Sequence, residues 1–458
     1  MAYIGNQPAE SFTSFATQEF STSATTSYTL DHAVTNENEI ALFVNNVRQQ
    51  PGSGKAYTAT GTALTLSAAT ASTDTMYCVF LGRALQTVTP ATNSITNTML
   101  SENSQTQIFN NNFRNIIING DMSIAQRGTS FTGLTNGSTD YTVDRFKFNE
   151  SGSMTSVFTF SQDTDVPSGQ GFAKSLKIQN TTAGSGHNVV EAIQFIEAQN
   201  LQYLKFGTSS AENLTLSFWV KCSETGTGNV SIYNLDATRQ IAKNYTINSA
   251  NTWEKKTLSI PGDTSGSFNN DNGGGLGIYF ALAASSGYNG GTPGSWGSYS
   301  DGLRGAGMTI DLTNSTSDNI YITGVQLEAG TTATNFEFLP HDVNLQRCSR
   351  YCFSVPYAGG DTYHGILQGF FPNTTLFIGD IPLPTRMRDS ISLTTSGSFH
   401  VAGNTDYAAS SFNLQNVALE NSHSVEFRCT VSGATAGQAA RFRNNNDATA
   451  KFILTSEL

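Results

Sequence analysis

Six carboxylates, Asp140, Asp144, Glu191, Glu197, Asp301 and Asp311, fall in the middle of this chain. Glycoside hydrolysis needs two carboxyl groups across a cleft, one of them kept protonated by its surroundings. Their spacing singles out no pair, and each has an ordinary role as a turn former, a cap or an ion-pair partner. Asp144 beside Arg145 in YTVDRFKF reads as a structural pair, because a guanidinium is the usual fork for a neighbouring carboxylate. The histidines (His32, His187, His341, His364, His400, His423) stand apart with no nucleophile motif beside them, although a triad drawn from distant residues leaves no such mark. The five cysteines, Cys78, Cys222, Cys348, Cys352 and Cys429, are odd in number and scattered, so no disulfide framework is expected. Cys348 and Cys352, four apart on an expected helix, would share a face. No second pair at zinc spacing joins them, and ordinary buried thiols are the expectation.

The elements that must position these groups are strands. At 458 residues the chain exceeds one hydrophobic core, and three domains are expected. Charged residues make up only 13% and aromatics 10%, with 42 glycines, so the chain reads as β-structure with neutral polar outer faces and not as disorder. A net charge of −11 with no basic run argues against nucleic-acid binding. The opening MAYIGNQPAESFTSF has no secretory pattern, and no window nears the ~20 apolar residues of a membrane span. Synthesis and folding in a cytoplasm are expected, without membrane insertion.

Residues 1–88 read as a small β-domain. Ile40, Leu42 and Val44 share a face, a turn follows at Asn45 and Asn46, strands are expected at Tyr57 to Thr60 and Ala63 to Leu66, and Met76 to Leu81 reads as a central strand covered on both sides. Residues 89–114 read as a polar connector, in which Ile95, Met99 and Ile108 fall short of a coiled-coil repeat. From 115 to 340 the alternation is clear. Leu214, Leu216, Phe218 and Val220 oppose Trp219; Val230 and Ile232 oppose Tyr233; Leu276, Ile278, Phe280 and Leu282 oppose Tyr279. Apolar rows of this kind call for two sheets stacked face to face. IINGDMSIAQRGTS at Ile117 to Ser130 reads as the opening strand and ITGVQLEAG from Ile322 as the closing one, a jelly-roll order. A short amphipathic helix, DVNLQRCSRYCF, then leads to a distal β-domain within 341–458, with strands at Ile366 to Phe371, Leu376 to Ile378, Ser390 to Thr394, Ser424 to Thr430 and Lys451 to Thr455.

The blocks IINGDMSIAQRGTS, YTVDRFKF and ITGVQLEAG through CSRYC together resemble the sandwich module of many bacteriophage tail-fibre and host-recognition proteins, and CSRYCF with LPTRMRDS resembles the segment that follows it there. The run from Asp31 to Gly82 resembles the N-terminal domain of tail fibres of marine podovirus-like phages, which attaches to the tail. The sandwich also resembles jelly-roll carbohydrate-binding modules, whose sugar faces use aromatic rings as platforms. That resemblance makes outward-facing Trp219, Tyr233 and Tyr279 a candidate glycan platform, since a ring offers an apolar face to the C–H side of a sugar. Burial of the same rings against a neighbouring subunit is the competing reading. Tyr288, Trp296 and Tyr299 in the glycine-rich loop SSGYNGGTPGSWGSYSDG form a second candidate, with a plain exposed loop as its alternative. Such modules often hold calcium between an acidic residue after the opening strand and another in the closing strand. Here Ser123 and Gly324 occupy those places, with Asp121 and Glu328 nearby, so an inherited site is not expected.

The expectation is therefore an all-β, non-enzymatic virion protein: a phage tail fibre, homotrimeric by resemblance, anchored by its N-terminal domain to tail proteins and gripping a host surface polysaccharide or protein receptor. The alternatives are a polysaccharide-degrading tailspike, whose usual parallel β-helix repeats are absent here, and a tail adaptor that recognises nothing.

Overall fold

The computed structural model describes residues 15–81, 113–355, 362–415 and 423–458. They form two compact units, Met1–Asn110 and Asn111–Leu458, and nearly all regular structure is β. Most of the expected 89–114 connector, including Ile95, Met99 and Ile108, lies outside the described residues.

In the first unit a four-stranded sheet, ordered Thr17–Phe20, Met76–Phe80, Ile40–Val44 and Val47–Arg48, accompanies a pair formed by Ser27–Val34 and Tyr57–Leu66. The two expected strands at 57–66 are one strand, with Gly61 at φ +59 inside it. Asn45 and Asn46 both take positive φ in the hairpin that pairs Val44 with Val47, the conformation that favours Asn in two-residue turns. Met76–Phe80 is central as expected, but only Met76, Cys78 and Phe80 are buried. Tyr77 and Val79 stay half-buried, with Tyr77 stacked on Phe43.

The second unit holds a sandwich of two six-stranded sheets. The first runs Glu254–Ile260, Leu214–Cys222, Asn319–Ala329, Ser175–Thr182, Val157–Asp163, Ser130–Leu134. The second runs Gly297–Ser298, Arg239–Ile247, Gly226–Asn234, Gly274–Ala284, His187–Glu197, Lys147–Gly152. Their facing rows seal the largest core; Phe218 of the first sheet meets Phe280 of the second edge-on at 5.2 Å. Burying one such ring stabilises by roughly 1.5–3 kcal/mol.

The expected opening strand, Ile117 to Ser130, is not a strand. Asn119 and Met122 adopt positive φ, and the Asn119 side chain takes over the local hydrogen bonding through Ile124 and Asp144. Two backbone bonds, Ile116 to Leu327 and Val325 to Gly120, hold this segment beside the closing strand. Gly120 permits that approach: a β-carbon there would lie 2.1 Å from the Val325 carbonyl oxygen.

The expected helix is His341–Ser349, with Asp342 in its first turn and Arg347 in its last, the placement the helix dipole favours. Cys352 lies beyond it in the strand Cys352–Val355, so Cys348 and Cys352 do not share a helix face. All five cysteines are free and buried. The distal part adds a three-stranded and a seven-stranded sheet around a second large core rich in Phe. Its strands Phe399–Ala402, Asp406–Ala408, Ser410–Gln415 and Ala439–Asn444 were not expected from the sequence. A polar seam joins it to the sandwich. Arg145, 1% exposed and at φ +73, pairs with Glu457, donates to the Phe195 carbonyl and lies 3.5 Å from the Tyr351 ring centroid. Asp144 is therefore not the partner of Arg145; its carboxylate accepts from the backbone and side chain of Gln126.

Candidate functional site

The outer face of the second sheet carries a groove of about 400 Å³. Register builds its floor. Tyr233 pairs with Gly277, Gly277 with Phe195, and Tyr279 with both Ser231 and Ile193, so three rings converge around one glycine. Tyr279 stands 5.9 Å from Phe195, edge-on, and 6.4 Å from Tyr233. The glycine-rich loop supplies a wall. Tyr299 packs 4.9 Å from Tyr233, and its hydroxyl donates to Asp301 at 2.7 Å. Backbone bonds from Tyr299 to the Thr238 carbonyl and from Ser300 to the Gln240 side chain pin the loop to the sheet. Burial, with the hydrogen bond to Asp301 acting in the same direction, pushes the Tyr299 phenol up to about 12.

Beneath the wall, Arg304 is bidentate to Glu191, whose carboxylate is fully buried and also accepts from Asn149. Burial drives the Glu191 carboxyl upward and the guanidinium opposes it; both oxygens are engaged. A buried pair of this kind is costly to break from one side, by roughly 3–5 kcal/mol, because the remaining charge is left uncompensated. Asn149, Glu150, Ser151 and Gln240 add polar groups along the groove. One carboxylate oxygen of Glu150 accepts from the Gly137 amide, while the other is buried without a partner.

Of the six aromatic residues singled out in the sequence, Tyr233, Tyr279 and Tyr299 meet in this groove, whereas the other three lie elsewhere. Trp219 belongs to the first sheet, opposite Lys255 and Thr323, because its strand and the tyrosine strands lie in different layers. Trp296 turns inward, donating to the Pro261 carbonyl at 2.7 Å and packing edge-on against Phe206. Tyr288 touches the groove only indirectly, its ring 5.8 Å from the Arg304 guanidinium. Phe195, Gln240 and Arg304 escaped the sequence reading. The alternation in His187–Glu197 could have revealed Phe195 as outward, but a loop arginine carries no such signal.

Three of the remaining candidate acids have side-chain partners, whereas Asp140 accepts from the Phe148 amide through its backbone carbonyl. Glu197 binds Arg350 and Tyr351, Asp144 binds Gln126, and Asp311 accepts from Thr313. Burial pushes the thiols of Cys78 and Cys222 up to about 11, far from thiolate chemistry. The calcium positions of the resembling modules do not fit an ion here. Ser123 and Gly324 offer no carboxylate, Asp121 is engaged by Ser123 and Asn344, and Glu328 by Thr334 and Gln326. Among the described residues no cluster of three or more His, Cys, Asp or Glu is arranged for a metal, and no helix is long and apolar enough to cross a membrane.

No protein-family model matches the chain, and no curated protein matches it. Among solved structures, the enzymatically active domain of bacteriophage CBA120 tailspike protein 4 aligns with 43% of this chain and 21% of its own length, at 17% identity and a TM-score of 0.25. The carbohydrate-binding module TmCBM61, in complex with β-1,4-galactotriose, aligns over 47% of this chain and 99% of its own at 10% identity and a TM-score of 0.25. A family 11 carbohydrate-binding module from Clostridium thermocellum, in complex with a β-1,3-1,4-mixed-linked tetrasaccharide, aligns over 44% and 98% at 10% identity and a TM-score of 0.23.

Proposed function

We propose that this chain is a phage tail-fibre protein that binds host surface glycans in the tyrosine groove, with its first unit attaching to the tail and three copies acting together. The observation that carries glycan binding is the convergence of Tyr233, Tyr279 and Phe195 around Gly277, walled by Tyr299, with Asn149 and Arg304 along the groove. Rings present apolar faces to sugar C–H groups, and amide and guanidinium groups orient the hydroxyls. The tail-fibre role and the trimer rest on the sequence resemblances of Asp31 to Gly82 and of the sandwich blocks. Each groove binds weakly on this reading, and linking several raises avidity by ~10² to 10⁴.

The test is adsorption of purified protein to host cells and their extracted polysaccharide, with release of new reducing ends measured in the same samples. Binding without cleavage is expected, and Tyr279→Ala should weaken single-site affinity about tenfold, equivalent to 1.4 kcal/mol. Fragment release would favour the tailspike alternative. Undiminished binding by Tyr279→Ala would remove the groove from the account.

A further inference from the structure

A second cavity in the same unit shares no lining residue with the groove. It measures about 310 Å³, near the lower end of ligand pockets and large enough for one sugar ring. Its side wall is apolar, from Ile116 and Ile196, and at its rim stand Phe113 and Tyr203, 60% and 51% exposed. Arg350 also lines it, but that guanidinium is already bidentate to Glu197.

Arg347, three residues earlier on the helix, differs. Among the described residues it makes one hydrogen bond, to the Asn115 carbonyl at 3.3 Å, and has no carboxylate within 4.0 Å. Glu337 is close enough to act through its field, yet its two oxygens are taken by the amides of Phe113 and Asn115. Most arginines of this unit have a carboxylate partner: Arg114, Arg127, Arg145, Arg239, Arg304, Arg350, Arg388, Arg428 and Arg443. Burial disfavours the Arg347 charge, and neighbouring groups offset that only in part. A guanidinium has five N–H donors in a fork that matches a carboxylate. A half-buried one beside an apolar wall and two exposed rings has the complement of a sugar ring that bears an anion.

We propose that this cavity binds a hexuronic acid residue, its carboxylate on Arg347 and its ring against Tyr203 and Phe113. The site is separate from the tyrosine groove, and the two readings stand or fall independently. The test titrates the full chain with methyl β-D-glucuronide, using methyl β-D-glucoside as the neutral control. The glucuronide should bind about tenfold more tightly, the gain expected of one charge-assisted contact, and the preference should shrink with added salt. Arg347→Gln should abolish the preference, and Tyr203→Ala should weaken binding of the glucuronide. Melting temperatures of the variants report folding, and Tyr203, being half exposed, provides the variant least able to disturb it. Failure of the glucuronide to bind, equal binding of the two glycosides, or an unaltered preference in folded Arg347→Gln would each overturn the assignment.

Discussion

A methyl group placed on Gly277 would lie 2.6 Å from the Tyr279 ring and 3.2 Å from that of Phe195, so the absence of a side chain there is what lets the two rings close over the floor. Gly277→Val is expected to fill that space and splay the rings. Glycan affinity should drop by about tenfold or more while the β-sheet circular dichroism is kept, a loss near 1.4 kcal/mol. Retained affinity would mean that sugars do not use this floor. Gly277 is also a residue whose importance the sequence conceals, since GLGIYFAL shows a strand and an outward Tyr279 but nothing of the ring from the neighbouring strand.

At the scale of elements, strands with strict alternation were legible. Leu214–Cys222 and Gly274–Ala284 bury the expected rows because period two is a local property of the chain. The segment Ile117 to Ser130 misled because its apolar residues suit a strand while Asn119 and Met122 sit at positive φ, and side-chain hydrogen bonds take the place of a ladder. Strands such as Ala439–Asn444 were hidden by polar residues and find their order only through pairing with distant partners. The groove was half legible for the same reason: Trp219, Tyr233 and Tyr279 show as outward and Tyr299 as a loop ring, but which layer an outward residue belongs to depends on long-range pairing. The seam is likewise built from residues far apart in sequence. Glu457 holds both Arg127 and Arg145, and Glu457→Gln should destabilise the second unit by roughly 3–5 kcal/mol, the penalty for a buried cation left unpaired. Chemical denaturation of the variant measures it, and a change under 1 kcal/mol would show that the pairs are solvated.

Across the whole second unit, acid should act through the same seam. Burial would raise the Glu197 carboxyl, but hydrogen bonds from Arg350 and Tyr351 outweigh it and hold the group below the usual glutamate range. A depressed folded value contributes stability that is full above the unfolded pKa, about 4.3, and disappears as pH falls through the folded one. The melting temperature should therefore decline below about pH 4, and Glu197→Gln should be less stable at neutral pH with a shallower acid slope. An identical slope in the variant would assign acid sensitivity to other carboxylates.

The groove joins two kinds of construction. Phe195, Tyr233 and Tyr279 are fixed by strand register, whereas Tyr299 and Asp301 ride on a glycine-rich excursion fastened by Arg304 to Glu191. Provided that fastening is kept, the excursion can change its residues without disturbing the layers below. The chemistry that the groove presents is thus open to change by rewriting one short stretch of chain, leaving the scaffold beneath it intact.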